Sequence, residues 1–466
     1  MKRLKLRAKE LKRLGFADDK LLSLVLKLAH NHFRRTDKEE VLDLVEKVFL
    51  HPENYLKDPV FGELAWQMTQ KPELPKKTKV RLNTAALEFT VFGGENIDPE
   101  AIRQMETAMK LPVAVKGALM PDAHLGYGLP IGGVLAAYNA VIPYGVGMDI
   151  GCRMCLSVYP LNPDLIRKES GHLKNMLLNE TRFGQAEFND LEQYAIVDRP
   201  EFSEIKFLRT LQPRFAAQLG TSGHGNHFVD IGVVEISHFS PLVNLQPGKY
   251  LAVLSHSGSR NFGSEVCKHY TNVAKQKLEL EGEASRLAWL DLDSEEGQEY
   301  WAAMQLAGDY SHTNHRIIHQ RLAKALGVKP VTIIENHHNF AWREKLPTGE
   351  ELIIHRKGAT PTRISDVGII PGTMASPAYI VGGKGNEASL QSAAHGAGRL
   401  TSRRQAKRTF QDEQLRKYLV EQGVELIGGG IDESPFAYKD IREVMKYQKD
   451  LVEILGVFHP RIVRME

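Results

Sequence analysis

The stretch YLAVLSHSGSRNFG, Tyr250 to Gly263, runs a short apolar segment into His256 and then into a turn of small residues carrying Arg260. Apolar runs of this length bounded by glycine read as buried strands, and a histidine at the end of one is held at the rim of a sheet. The same texture returns in VTII, Val331 to Ile334, which runs on to His337 and His338. Helical patterns over Glu299 to Leu326 and Gln405 to Gln422 interrupt these runs. Strands, glycine-rich loops and helices in this mixture predict an α+β domain whose polar chemistry sits on its loops.

Upstream the pattern changes. From Leu4 to about Gln70 apolar residues recur at helical spacing: Leu21, Leu22, Val25, Leu26 and Leu28, then Val41, Leu42, Leu44, Val45 and Phe49. KPELPKKTKV, Lys71 to Val80, reads as a connector. The expected organisation is a helical N-terminal extension over 1–78 and a single catalytic domain over 79–466.

The 466 residues are 42% hydrophobic and 25% charged, an ordinary globular composition. No apolar run reaches the roughly eighteen residues of a membrane span, and the basic start MKRLKLRAKELKRLGF has no apolar core of a secretory signal, so a cytoplasmic enzyme is expected. Cys152, Cys155 and Cys267 are too few for a disulfide framework. A net charge of +3 neither requires nor excludes a polyanionic partner, although the cluster from Lys2 to Arg13 could meet one.

Four segments concentrate metal-ligand chemistry. In PYGVGMDIGCRMC, Asp149 and Cys152 lie three apart, where a carboxylate and a thiolate can face one ion; Cys152 and Cys155 also spell C-x-x-C, but without the second pair or redox setting that pattern needs. GTSGHGNHFVDIG embeds Asn226 and His227 in glycine, and His256 ends the opening strand. In IIENHHNFAW, neighbouring His337 and His338 point to opposite faces, so one at most joins His256; His338 is chosen and His337 assigned to packing. Each histidine taken singly reads as structural. Together, one carboxylate, one thiolate and three imidazoles exceed one tetrahedral site and suggest two divalent ions sharing a ligand, with manganese, cobalt or zinc favoured over magnesium.

His312, His315 and His319, in YSHTNHRIIHQRL, share a helix face but have arginines beside them and no glycine, so they are read as a solvated or packed face and left out. HRKGATPT from His355, IIPGTMASPAYIVGGKGN from Ile369 and AAHGAGRLTSR from Ala393 are phosphate-handling loops by composition.

In order along the chain, ALMPDAHLGYGLPIGGV, GVGMDIGC, GNHF, HSGSR, HHN, HRKGAT, PGTM, HGAGR and DESPFAYKDI resemble the RtcB family of RNA ligases, from about residue 80 to the C-terminus. The resemblance implies an RtcB-like fold around a central metal cleft. It also implies a GTP- and Mn2+-dependent joining of an RNA 2′,3′-cyclic phosphate or 3′-phosphate end to a 5′-hydroxyl end, in tRNA splicing or RNA repair. His395 matches the histidine that becomes guanylylated, and Asp149, Cys152, His227, His256 and His338 match the ligands of two manganese ions, with Cys152 shared. Asn226, His227, Phe228, Val229, Asp230, His338, Asn339, Pro371, Gly372, Thr373, Met374, Ala378, His395, Gly396, Ala397, Gly398 and Tyr438 match the GMP-contacting segments. The glycines of HGAGR would clear space for GMP, and Arg399, Arg403 and Arg404 would hold phosphate or RNA. Asp122 and His124 would lie behind the site or face RNA.

Asp230 stands where the family has glutamate, Ala378 where a serine is common, and the terminus IVRME offers only Arg464 in place of a lysine that reaches guanine. The resemblance leaves an activating protein partner unassigned. A rival reading is a dinuclear metallo-phosphoesterase that acts on RNA ends without sealing them.

Overall fold

The computed structural model describes residues 6–14, 16, 19–34, 36–69, 77–188, 194–345 and 349–466. Residues 71–76 of the connector and residues 2–5 of the basic start lie outside the described residues. The chain divides into two compact units, Met1–Lys76 and Lys77–Glu466.

The first unit holds α1 (Ala8–Arg13), α2 (Asp19–His32), α3 (Lys38–Leu50) and α4 (Gly62–Thr69). Asp37 caps α3, its carboxylate accepting from the Glu39 backbone N–H at 2.9 Å. Residues three and four apart on α2 and α3 supply the core: Leu22, Val25 and Ala29, then Val41, Val45 and Val48, closed by Phe61 and Leu64.

In the second unit, α+β in composition, the described residues form an eight-stranded sheet. Its strands are β1 (Arg153–Tyr159), β2 (Phe228–Ile236), β3 (Gly248–Ser257), β4 (Thr332–His337), β5 (Val367–Ile370), β6 (Ala378–Gly383), β7 (Glu425–Ile427) and β8 (Val452–Arg464). The spatial order is β4-β1-β3-β2-β8-β6-β5, with β7 parallel to β8 and the other pairs antiparallel. The sheet curls until its edges meet: Asn336 of β4 donates to the Ile369 carbonyl of β5 at 3.3 Å and accepts from its N–H at 2.9 Å.

Alternation along the strands gives each residue a side. Met154, Leu156, Leu254, Ile369, Ile380 and Phe458 fill the inside of the curl. Outside, Tyr159, Val229, Ile231, Leu251 and Val253 pack on Ile318 and Leu322. These two belong to α6 (Glu295–Leu326), which follows α5 (Asn261–Lys277). Helix α6 begins four residues before its predicted start because Ser294 caps it, accepting from Gly297 N–H at 3.1 Å. A second sheet runs Asn339–Lys345, Glu351–Lys357, Ile131–Ala137, Ala114–His124, Thr90–Val91, and its long strand brings Asp122 to the cleft.

The helix expected over Gln405 to Gln422 is two, α7 (Arg403–Thr409) and α8 (Asp412–Glu421). The break is at Phe410, which is extended at φ −98° and ψ 154°. Its ring packs 5.7 Å from that of Phe436, a tertiary contact that the helical periodicity does not register. No described helix is long and apolar enough to cross a membrane.

Candidate metal centre and adjoining cleft

Five side chains from four segments converge where β1, β3 and β4 end. Cys152, just before β1, has its Sγ 3.1 Å from His256 Nε2 and 3.5 Å from His227 Nε2. His227 Nε2 lies 3.0 Å from Asp149 Oδ2, and His256 Nε2 lies 3.3 Å from His338 Nε2. The donors form two overlapping groups, Cys152 with His256 and His338, and Asp149 with Cys152 and His227, so the thiol is common to both.

The neighbouring backbone sets these rings. His256 donates from Nδ1 to the Asn226 carbonyl at 3.0 Å, which leaves Nε2 bare. His338 N–H donates to the Cys152 carbonyl at 3.1 Å, and Asn339 ties the loop from the other side, its amide reaching the Asp149 carbonyl at 3.2 Å. Burial, then the nearby His227, pull His256 down to about 3, and burial with the surrounding histidines takes His338 well below the ordinary range. Both rings are therefore neutral. Burial opposes ionisation of Asp149, but His227, Cys152 and His256 together hold the carboxyl below its usual range. Burial, then the Asp149 carboxylate, push the Cys152 thiol well up. Bare nitrogens, a carboxylate and a sulfur turned on one another fit divalent cations, which would deprotonate the thiol.

Beside this cluster lies a cleft of about 340 Å³. His395 stands on its wall with its ring centroid 4.9 Å from that of His338. His395 Nδ1 is 2.6 Å from Oδ2 of Asp122, which also accepts from the His395 backbone N–H at 3.2 Å. Asp122 is fully buried, so it does not face RNA. Lys439, from the late AYKD motif, grips the strand on both sides of it, donating to the Pro121 and Ala123 carbonyls at 3.0 Å each. The neighbouring His124 lines the cleft, and burial lowers it to about 4.

Of the remaining residues expected around a nucleotide, Asn226, Phe228, Asp230, Pro371 to Met374, Ala378, Gly396 to Gly398 and Tyr438 line the cleft together with His256. Val229 does not: period-2 alternation turns it into the core outside the curl. Asn339 is not part of the lining either, since its amide oxygen accepts from Gly358 N–H at 2.7 Å and its nitrogen holds the Asp149 loop. Gly398 gives clearance to protein, not ligand; at φ +75° a Cβ there would stand 2.1 Å from the Asp122 carbonyl oxygen. Arg399 is spent within the fold, on Glu433 at 3.1 Å, the Tyr438 hydroxyl at 2.9 Å and the Asp432 carbonyl at 2.7 Å. Arg464 turns from the cleft to the Leu177 carbonyl and the Phe183 ring, and Met465 lines the wall instead. Phe458 and Val463 line the cleft without a local motif to mark them, and Arg403, expected to hold phosphate or RNA, lines it paired with Glu433 at 3.1 Å. Burial raises Asp230 well above the usual carboxylate range.

His337, assigned to packing, stacks on Phe340 at 5.0 Å and meets Arg153 at 3.0 Å. Of the helical trio, His315 and His319 are buried and His312 is half-exposed. His315 and His319 do approach Cys155, with donor atoms within 4.8 Å of one another. Every ring nitrogen of the pair is nevertheless hydrogen-bonded: His315 to Ser255 Oγ at 2.8 Å and the Ser257 carbonyl at 3.1 Å, His319 to Ser157 Oγ at 2.7 Å and Ser255 Oγ at 2.8 Å.

A thiol shared between two donor groups, next to a cleft carrying an Asp-paired histidine, defines a metal-dependent enzyme. The chain belongs to the RtcB family: the family model described as tRNA-splicing ligase RtcB matches residues 104–466. It is 31% identical to the RNA-splicing ligase RtcB of Escherichia coli (strain K12) over 392 residues, covering 78% of this chain and 93% of that protein. It is 30% identical to the tRNA-splicing ligase RtcB of Archaeoglobus fulgidus over 464 residues, covering 83% and 94%. With the tRNA-splicing ligase RtcB of Nanoarchaeum equitans the identity is 28% over 461 residues, covering 83% and 96%.

Proposed function

We propose that this protein is a GTP-dependent RNA ligase that joins a 2′,3′-cyclic phosphate or 3′-phosphate end to a 5′-hydroxyl end, with His395 as the covalent nucleophile. The observation that carries this is the Asp122 pair, because a buried carboxylate on Nδ1 leaves Nε2 as the free nitrogen at the cleft. His395 Nε2 attacks the α-phosphorus of GTP, an N–P bond forms, and pyrophosphate leaves. Asp122 accepts from Nδ1–H and offsets the charge that develops on the ring. A cyclic phosphate end is first hydrolysed to the 3′-phosphate, an oxygen of which then attacks the phosphorus of the bound GMP, returning His395 to its neutral form. The 5′-hydroxyl oxygen of the second strand attacks the activated 3′-phosphorus and GMP leaves.

Two manganese ions, one held by Asp149, Cys152 and His227 and one by Cys152, His256 and His338, would supply Lewis-acid neutralisation of phosphate charge. The base would lie between Phe228, Asp230 and Tyr438. With Ala378 and Met465 on the wall, Asp230 is the polar side chain there with an unpaired buried oxygen.

Incubation with labelled GTP and Mn2+ should leave an acid-labile label on the protein. His395→Ala should abolish it, and Asp122→Asn should slow its formation by about 100-fold or more, since the amide favours the wrong tautomer. A chain that takes no label under Mn2+ ends this reading. A His395→Ala variant that still hydrolyses RNA cyclic phosphates without sealing favours the phosphoesterase.

A further inference from the structure

We propose that Asn314 is a positioning residue for one half of the metal centre, the half formed by Asp149, Cys152 and His227. The inference rests on the two-ion reading given above.

Helix α6 passes behind the ligand loops, presenting Gly308, Ser311, His315 and His319 at helical spacing. Asn314, beside that row, is fully buried. Its amide donates to the Thr221 carbonyl at 2.7 Å and lies 3.5 Å from both Ser257 Oγ and the Gly258 carbonyl. These acceptors belong to two segments far apart in sequence, and each segment backs one ligand. Gly258 lies so close to Asp149 that a Cβ built on it would stand 2.1 Å from Oδ1. Thr221 leads to Gly223, where a Cβ would stand 1.9 Å from His227 Nδ1. One amide thus joins the two backbone surfaces on which Asp149 and His227 rest.

The other half is held differently. His256 sits inside the β1-β3-β2 ladder, opposite Met154 and Phe228, and donates to the Asn226 carbonyl. His338 is fixed by its own N–H on the Cys152 carbonyl and by Ala359 N–H on its carbonyl, both at 3.1 Å. Without the Asn314 amide, the 221 and 258 segments lose one shared anchor and keep the Arg260 Nε bond to Thr221 Oγ1 at 3.0 Å, while the strand ladder around His256 and the backbone bonds of His338 stay in place. The effect is therefore confined to the Asp149 and His227 side.

The test is Mn2+ titration of the full chain by calorimetry, with electron paramagnetic resonance distinguishing coupled from isolated ions. Asn314→Leu keeps the volume and leaves no unpaired buried amide, and Asn314→Ala serves if the first variant does not fold. The unmodified chain should bind two ions. Either variant should keep one at unchanged affinity and hold the other at least about tenfold more weakly, the scale on which outer partners tune metal ligands. The spectrum should pass from coupled to isolated Mn2+ at intermediate loading. Gly258→Ala, which pushes on Asp149 directly, should reproduce the same one-ion loss. Two ions bound at unchanged affinity in the Asn314 variants overturn the proposal, and so does an equal weakening of both ions alongside a lowered Tm. Fewer than two ions on the unmodified chain sinks the two-ion reading first.

Discussion

Strands β1 and β3 carry a buried cluster of histidine and cysteine on each face, and the two clusters differ in what their nitrogens meet. On one face His256 and His338 point Nε2 at each other and at Cys152, and His227 Nδ1 and His338 Nδ1 are buried without a partner among the described residues. On the other face Cys155, His315 and His319 are equally buried, but serine hydroxyls and a carbonyl satisfy every imidazole nitrogen. Adjacent residues separate the two: Ser255 and Ser257 face the helix while His256 faces the cleft. Residue type and burial are thus shared, and hydrogen-bond saturation is what divides a ligand set from a structural network. Nε2 atoms turned on one another, on a thiol and on a carboxylate can all be bound by a cation, whereas nitrogens bonded to serine hydroxyls and a carbonyl would have to exchange a satisfied bond for it.

The two cysteines of the C-x-x-C pattern give the sharpest way to break this contrast. Cys152→Ala removes the donor shared by both halves and should weaken both ions by more than about 100-fold, since even outer partners of ligands account for roughly 10- to 100-fold. Sealing activity should go with them. Cys155→Ala should leave Mn2+ stoichiometry and affinity unchanged, because the imidazoles beside it, His315 and His319, are already bonded to Ser157, Ser255 and the Ser257 carbonyl. Equal metal loss in the two variants, measured by titration, would erase the distinction.

The reverse asymmetry is expected in stability. His319→Ala strands the fully buried Ser157 hydroxyl, while Ser255 Oγ keeps His315 as its partner. A buried group left unpaired costs about 1–3 kcal/mol, so denaturant unfolding should show a loss of about that size with two ions still bound. A variant of unchanged stability, or one that loses an ion, would place His319 in the wrong cluster.

Legibility from sequence followed the same division. Asp149, Cys152, His227, His256 and His338 were readable because ligand chemistry requires those residue types at strand ends and tight turns, and period-2 alternation separated His338 from His337. The helical spacing of His312, His315 and His319 predicted a shared face but not its partners, since serines on β1 and β3 reach it only through tertiary packing. Asp122 could not be matched to His395 for the same reason: 273 residues separate them. Alternation along the strand is sufficient to exclude Val229 from the cleft while keeping Phe228 and Asp230. Arg399 looked free because its partners, Asp432, Glu433 and Tyr438, lie in another motif.

Acid should reveal the saturated cluster more gently than mutation does. Burial lowers His315 to about 3 and His319 to about 4, from an ordinary value of 6.5. The unfolded chain therefore binds protons that the folded chain refuses between pH 6.5 and about 3 to 4. The sign follows from that excess. Stability is fully present above pH 6.5 and falls as pH drops through the window, by at most about 1.4 kcal/mol per pH unit for each histidine. In metal-free protein, His319→Gln should start less stable at neutral pH yet show a shallower acid slope, by about that amount per unit. An unaltered slope in the His319 variant would mean that the network admits a proton in the folded state. The serine partners would then hold these rings charged as readily as neutral, and saturation would no longer separate the two faces of the sheet.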